Sequence, residues 1–398
     1  MLISAFACAP NRGSEPGVGW GVVRTVAKTH RVWALTNSGN KPLIETVPAS
    51  AKPPNVQFVY VGLPSYLNLL VGKAWFHRVY YIIWQIRAFL VARKLHAQVG
   101  FDLVHHVTYV NSWLPTFLGW LGPPFVWSAG KKERTPWSFL HQMSWQSALS
   151  EMVRDAGTTL LGALTHIIVA TRSRAILTAS PSNKWQLRFT SRRFALGALE
   201  PEDMALLQSI PERQPGPFRM VSIGRLLGLK GFSIAMRAFA QLRRDFPDSE
   251  YWIIGDGQER HTLEQLADEL GCVEATHFLG WLPRQEVLQY MAEVDVVVHP
   301  SLHEQFAYVL LEAMAAAKPV ICLDVGGPSA LVGDKCGFKI PVHNPAQVLD
   351  DIYQALHKLA SNPSARLNMG EEARAWAVEN WTWEAVGKRL LALYEEIV

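Results

Sequence analysis

Two loops of this chain carry charged residues at spacings that could hold a polyanion with hydroxylated ends. In "GRLLGLKGF" Arg225 and Lys230 stand five apart, bracketed by Gly224 and Gly231. A guanidinium offers phosphate a planar fork, an ammonium adds a point charge, and glycines let the backbone approach a ligand. In "HPSLHEQFAYVLLEAMAAAKPV" Glu304 and Glu312 stand eight apart around the nearly neutral run QFAYVLL. Carboxylates are seldom buried without partners, so two in an apolar segment ask for a shared ligand.

His299–Pro300 closes a strand-like run, residues 301–308 loop out, and 309–317 read as a helix of good formers. Glu304 then falls in the loop and Glu312 in the first helical turns, within reach of a ligand ~10 Å long. The amides of Phe306 and Ala307 lie toward the helix start, which favours an anion. Carboxylate, anion site, carboxylate is the order of a nucleotide sugar. Sugar hydroxyls would meet Glu304, the diphosphate the amides, and ribose hydroxyls Glu312, since a carboxylate can accept from both hydroxyls of a vicinal diol. Three further turns are supportive: "GDG" at 255–257 as a strand-end turn, "GWLP" at 280–283 with backbone able to pair with a base edge, and Gly326–Gly327–Pro328 after strand 319–324.

The elements that must position these residues alternate. Strand-like runs at 2–8, 31–36, 56–61, 103–107, 124–129, 166–171 and 175–180 are separated by helical stretches at about 17–29, 74–99, 113–121 and 138–164. Runs at 218–224, 251–257, 276–281, 294–300 and 319–324 repeat the scheme. Such alternation predicts βαβ units and parallel sheets. Residues 190–217 lack a strong period and read as an interdomain connection, and 381–398 as an amphipathic helix. The expected domains are 1–200 and 201–380, with 381–398 returning to the first. In open α/β sheets ligands bind at the carboxyl ends of the strands.

Composition excludes several classes. At 398 residues, 49% hydrophobic and 18% charged, the chain is globular and long enough for two cores. A net charge of +4 without basic runs interleaved with aromatics argues against nucleic acid. The 4 cysteines form neither CxxC pairs nor a disulfide framework and read as buried thiols of a cytoplasmic protein. No DxD-type acid pair or His/Cys cluster has metal-ligand spacing, so neither metal nor other cofactor is expected. MLISAFACAP reads as a first buried strand, being too short and uncharged for a signal peptide. No stretch reaches the ~18 apolar residues of a membrane span. The aromatic and basic residues of 66–95 would suit either a membrane interface on the cytoplasmic face or a helix packed on the sheet.

Taken in order, Gly224–Arg225, Lys230–Gly231, GDG and "EQFAYVLLE" resemble the retaining glycosyltransferases of the GT-B fold, family 4 (group 1) type. The resemblance is strongest from about 218 to 345. It implies two doubly wound Rossmann-like domains facing a central cleft and a metal-independent transfer of a sugar from a UDP- or GDP-sugar to an acceptor hydroxyl. By the resemblance, Arg225 and Lys230 hold the diphosphate, Glu304 binds the donor sugar and Glu312 the ribose. Leu282 meets the base, Gly327 lines the phosphate pocket, and Gly224, Phe306, Ala307 and Tyr308 complete the donor side. Gly17, in "NRGSEPGVGWG", faces the diphosphate from the acceptor side. The family's usual E-G-F-G is here Glu304-Gln305-Phe306-Ala307, so both glycines are replaced. Its frequent histidine after the strand 124–129 is absent, with Ser128 or Gly130 near that place, and His105 and His106 are the candidates to orient the sugar instead. The acceptor, selected by 1–200, would be lipid-linked or a small apolar molecule. A GT-B epimerase would need acid/base groups beyond the two histidines, and Gln305 with the missing histidine leaves a non-catalytic nucleotide-sugar binder as a second alternative. The first βα turn, GSEPGVGWG, is not the GxGxxG of an NAD dehydrogenase.

Overall fold

Short runs of β-branched and aromatic residues closed by glycine, proline or polar clusters set the strands of this protein. The computed structural model describes residues 1–10, 12–63, 74–110, 113–129, 136–141, 143, 145–179, 191–211 and 213–398. The part of 66–95 up to residue 73 and the stretch 130–135 lie outside the described residues.

The first sheet holds β1 (Leu2–Ser4), β2 (Val32–Asn37), β3 (Val56–Val61), β4 (Val104–His106), β5 (Phe125–Ser128), β6 (Ala175–Thr178) and β7 (Ser191–Arg193), in the order β3-β2-β1-β4-β5-β6-β7. The second holds β8 (Arg219–Ile223), β9 (Glu250–Ile254), β10 (Thr276–Gly280), β11 (Val296–His299), β12 (Val320–Leu323) and β13 (Gly337–Ile340), in the order β10-β9-β8-β11-β12-β13. Every pairing is parallel. Of the central strands, β1, β4, β11 and β12 are buried along their whole length; β11 and β12 read as near-continuous apolar runs, whereas β4 buries His105 and His106. In each sheet the chain steps outward over three strands and then returns to the far side of the first. The loops leaving β1 and β4, and those leaving β8 and β11, therefore diverge and open a crevice at the carboxyl ends.

The chain divides into two compact units, one of Met1–Lys132, Gly157–Ala198 and Trp383–Val398, the other of Glu133–Ala156 and Leu199–Thr382. The helix Trp383–Ile397 thus belongs with the first sheet. It lies on the helix Ser14–Val26, where a Cβ on Gly21 would come within 1.9 Å of the Trp383 ring, so only glycine leaves room for that indole. Residues 133–156, expected with the first domain, pack in the second unit: Phe139 is fully buried in its core and Ser147 Oγ donates to Glu259 at 2.6 Å.

Three sequence expectations need correction. Residues 166–171 do not form a strand; they end the helix Trp145–Ala170. Ile167, Ile168 and Val169 cost a helix only tenths of a kcal/mol each, and no proline interrupts the run. Of 113–121, only a 3-10 turn at Leu118–Trp120 is helical. The stretch 190–217 contains the edge strand β7 and the helix Pro201–Gln208. The arginines of β7 are tolerated because an edge strand faces water, and Pro201 at the first helical position with Glu202 and Asp203 beside it starts the helix. Among the described residues no helix is long and apolar enough to cross a membrane.

Candidate active site

The loop that follows β8 is shaped by the turn that follows β9. Gly255 has φ 137°, and a Cβ there would sit 1.9 Å from the Gly224 carbonyl oxygen. The Gly224 amide donates to Ile254 O and the Leu226 amide to Asp256 O, both at 2.9 Å. "GDG" is thus a brace behind Arg225. A 3-10 turn, Gly228–Lys230, ends at Gly231 in the left-handed region (φ 69°). A Cβ on Gly231 would meet Pro300 O at 2.2 Å, and the Leu302 amide donates to Leu229 O at 2.9 Å. The loops leaving β8 and β11 are therefore laced together at the crossing of the strand order.

That lacing brings Lys230 onto Glu304 as an ion pair. His299, at the end of β11 and nearly fully buried, sets Nε2 3.4 Å from Glu304 Oε2, a distance for electrostatic contact more than for a strong hydrogen bond. Burial pushes the Glu304 carboxyl up, but His299 and Lys230 together outweigh it and hold it at about 2. Burial conversely drives His299 down, against the pull of Glu304. The site thus keeps an ionised carboxylate beside a neutral imidazole. Arg225 is exposed and makes no ion pair among the described residues.

Past Glu304 the loop is pinned by the Gly327 amide, which donates to Glu304 O at 2.8 Å. A Cβ on Gly327 would lie 2.2 Å from Gln305 O, so a glycine lets the two loops touch. Among the described residues, the amides of Phe306 and Ala307 donate to no acceptor. They precede the helix Tyr308–Ala315 and are available to an anion. The Phe306 ring packs edge-on against Tyr308 and Trp381, with centroids 4.8 and 5.8 Å away. Ala307 has φ −101°, and Gln305 is absent from the positive-φ residues, so neither position demands the glycine it replaces.

Glu312 is buried on that helix, and burial raises its carboxyl against the opposing pull of Arg284. Arg284 Nη2 donates to Glu312 at 2.7 Å while Nη1 donates to Asp203 at 2.6 Å. Leu282, half-buried, stands two residues before it. Arg284 and His299 are the members of the constellation that sequence reasoning did not assign. The signal for Arg284 was a cation just past "GWLP" at the end of β10; for His299 it was a titratable residue closing an otherwise apolar strand.

Ten of the expected residues thus fall in the second unit: Gly224, Arg225, Lys230, Leu282, Glu304, Phe306, Ala307, Tyr308, Glu312 and Gly327. Gly17, His105 and His106 fall in the first. A Cβ on Gly17 would meet Arg12 O at 2.2 Å, so this glycine lets the loop after β1 fold back on its helix. The sugar-orienting part expected of the two histidines needs correction. His105 does reach Ser128 (Nε2 to Oγ, 2.9 Å), but Nδ1 is taken by the Tyr394 hydroxyl at 2.6 Å and the ring is fully buried. His106 Nε2 lies 3.2 Å from the Tyr81 hydroxyl, also in the core. Burial drives them to about 3 and about 4, so both rings are neutral struts between sheet and helices.

Residues 206–376 match the family model described as glycosyl transferases group 1. The D-inositol 3-phosphate glycosyltransferase of Corynebacterium jeikeium is 35% identical over 192 residues, 46% of this chain and 45% of that protein. The GDP-mannose-dependent alpha-(1-6)-phosphatidylinositol monomannoside mannosyltransferase of Mycolicibacterium smegmatis is 32% identical over 182 residues, 44% of this chain and 47% of that protein. The match therefore spans less than half the length of these curated relatives. Among solved structures, Anabaena HepE in complex with UDP is similar over 99% of both chains (TM-score 0.58, 17% identity). The sucrose-phosphate synthase of Thermosynechococcus elongatus is similar over 99% of this chain and 98% of its own (TM-score 0.61, 17% identity). The chain has the GT-B fold of two Rossmann-like sheets, and residues 206–376 are a group 1 glycosyltransferase domain.

Proposed function

We propose that this protein transfers a sugar from a nucleotide-diphosphate donor to an acceptor hydroxyl, with retention of anomeric configuration and without a metal. The observation that carries the reading is the constellation at the β8/β11 crossing: Lys230 locked to an ionised Glu304, Arg225 exposed on the same loop as Lys230, and the amides of Phe306 and Ala307, without an acceptor among the described residues, at a helix start. Arg225, Lys230 and the amides of Phe306 and Ala307 would take the diphosphate. Glu304 would accept from sugar hydroxyls, and Glu312, steadied by Arg284, from the ribose. Leu282 would face the base and Gly327 the phosphates. The bond from the anomeric carbon to the diphosphate breaks as the acceptor oxygen adds on the same face. The acceptor proton passes to the departing diphosphate, so no enzyme nucleophile is needed. Catalysis then rests on position and on cations aimed at the leaving charge.

Thermal-shift titration with UDP, GDP and their sugars tests the donor class, since a ligand that binds only the folded chain raises its melting temperature. Proton NMR of the product then reads its anomeric configuration, and the same reaction in excess EDTA tests metal independence. A donor-stabilised enzyme giving an inverted product, or losing turnover with EDTA, overturns the corresponding part of the reading. Stabilisation by neither nucleotide overturns the whole.

A further inference from the structure

The first unit contains a cavity of about 450 Å³ at the carboxyl ends of β1 and β2, outside residues 206–376. That is a volume suited to a small ligand, at the edge where parallel sheets bind them. One wall is aromatic: Phe6, His77 and Tyr80, with the His77 and Tyr80 rings 6° from parallel and Phe6 edge-on to both. The opposite side is Asn37, Ser38 and Asn40. No lysine, arginine or carboxylate is among its described lining residues.

The hydrogen bonds within this rim decide what it can still offer. Asn37 Nδ2 donates to the Tyr80 oxygen at 3.1 Å, and among the described residues the Tyr80 hydroxyl proton has no acceptor, which leaves it to donate outward. Asn40 Nδ2 donates to Phe6 O and to Thr36 Oγ1, both at 2.8 Å, which leaves Asn40 Oδ1 as an acceptor with no partner among the described residues. Ser38 is exposed and can do either. A donor, an acceptor and a hydroxyl opposite aromatic rings match a molecule whose groups each donate and accept and whose ring has an apolar face. An anion desolvated there would find no cation among the described lining residues.

We propose that this cavity seats an uncharged polyhydroxylated ring, a saccharide or cyclitol, as the acceptor of the transfer. The substrate role rests on the glycosyl-transfer reading; the ring chemistry rests on the cavity alone. It replaces the lipid-linked or small apolar acceptor expected from the sequence.

The test is saturation-transfer NMR on the full chain with methyl α-glucoside, myo-inositol and inositol 3-phosphate as probes, beside thermal shift with UDP and GDP. Ring protons of a neutral probe should receive saturation. Asn40→Leu and Tyr80→Phe should each weaken that binding about tenfold and leave the nucleotide shift unchanged. Ser38→Leu, at an exposed position, gives the same readout should Asn40→Leu not fold. Absence of binding by both neutral probes, tighter binding of the phosphate, or affinity unmoved by the variants overturns the proposal. Ring binding lost in the variants without any nucleotide shift upholds the cavity and removes the transfer reading instead.

Discussion

At the crossing of strand order in the first sheet, β4 places His105 and His106 among Tyr81, Ser128 and Tyr394, all neutral and buried. The matching place in the second sheet carries Lys230, an ionised Glu304 and Arg225. The strand order around the two crossings is the same, yet one holds aromatic rings and imidazoles fixed by hydroxyls and the other holds charge. Topology supplies a crevice in each unit, and only side chains decide whether it suits a neutral ring or a diphosphate.

Acid should separate the two units most. The unfolded histidines take up protons near 6.5, the folded ones only at about 3 and about 4, so the unfolded chain binds more protons throughout that window. Stability of the first unit is complete above 6.5 and falls as pH drops, by up to about 1.4 kcal/mol per pH unit for each histidine. Glu304 works over a lower window: its contribution is present above 4.5 and is lost only toward 2. Hydrogen exchange at pH 7 and pH 5 should show faster opening in the first sheet, where two histidines are lowered, than in the second, where burial lowers His299 alone and against the pull of Glu304. Equal loosening of both would break the comparison.

Next in size, Lys230→Ala or Arg225→Ala should lower turnover about 100-fold, near 2.7 kcal/mol of transition-state stabilisation, with melting temperature nearly preserved. Steady-state kinetics at saturating acceptor reads it, and near-normal turnover in both would remove charge from the second crossing's role. Arg284→Ala should raise donor KM about 5- to 10-fold with kcat little changed, because it frees a buried carboxylate without touching the diphosphate. Arg284→Lys should recover part of that loss. Confined to the first unit, Gly21→Ala should destabilise by about 1–3 kcal/mol by driving a methyl into Trp383. It should lower the melting temperature yet leave the nucleotide-induced shift intact.

Much of the fold was legible because buried parallel strands are mostly apolar, and β11 and β12 announce themselves that way. What failed was where a residue's neighbours, not its type, decided. Val169 looks β-forming but sits in a long helix, and the arginines of β7 hide a strand that lies on an edge. In the site, Lys230 and Glu304 could be named from spacing and family likeness. That Lys230 pairs with Glu304 could not, since 74 positions separate them. Arg284 and Glu312 meet only through the fold. The histidine pair, read as a candidate for sugar orientation, shows how little residue type says about access.

The seating of Trp383 against Gly21 has a bearing on how the protein is made. On the ribosome, β1 to β7 are all synthesised within about the first half of the sequence, but the helix that covers Gly21 and caps His105 follows only after the entire second unit. The nascent first lobe must wait with an apolar groove uncovered while its neighbour folds, an interval in which chaperone binding or misassembly competes with completion. Shortening the message before codon 383 should therefore yield a polypeptide whose second lobe is sound and whose first aggregates.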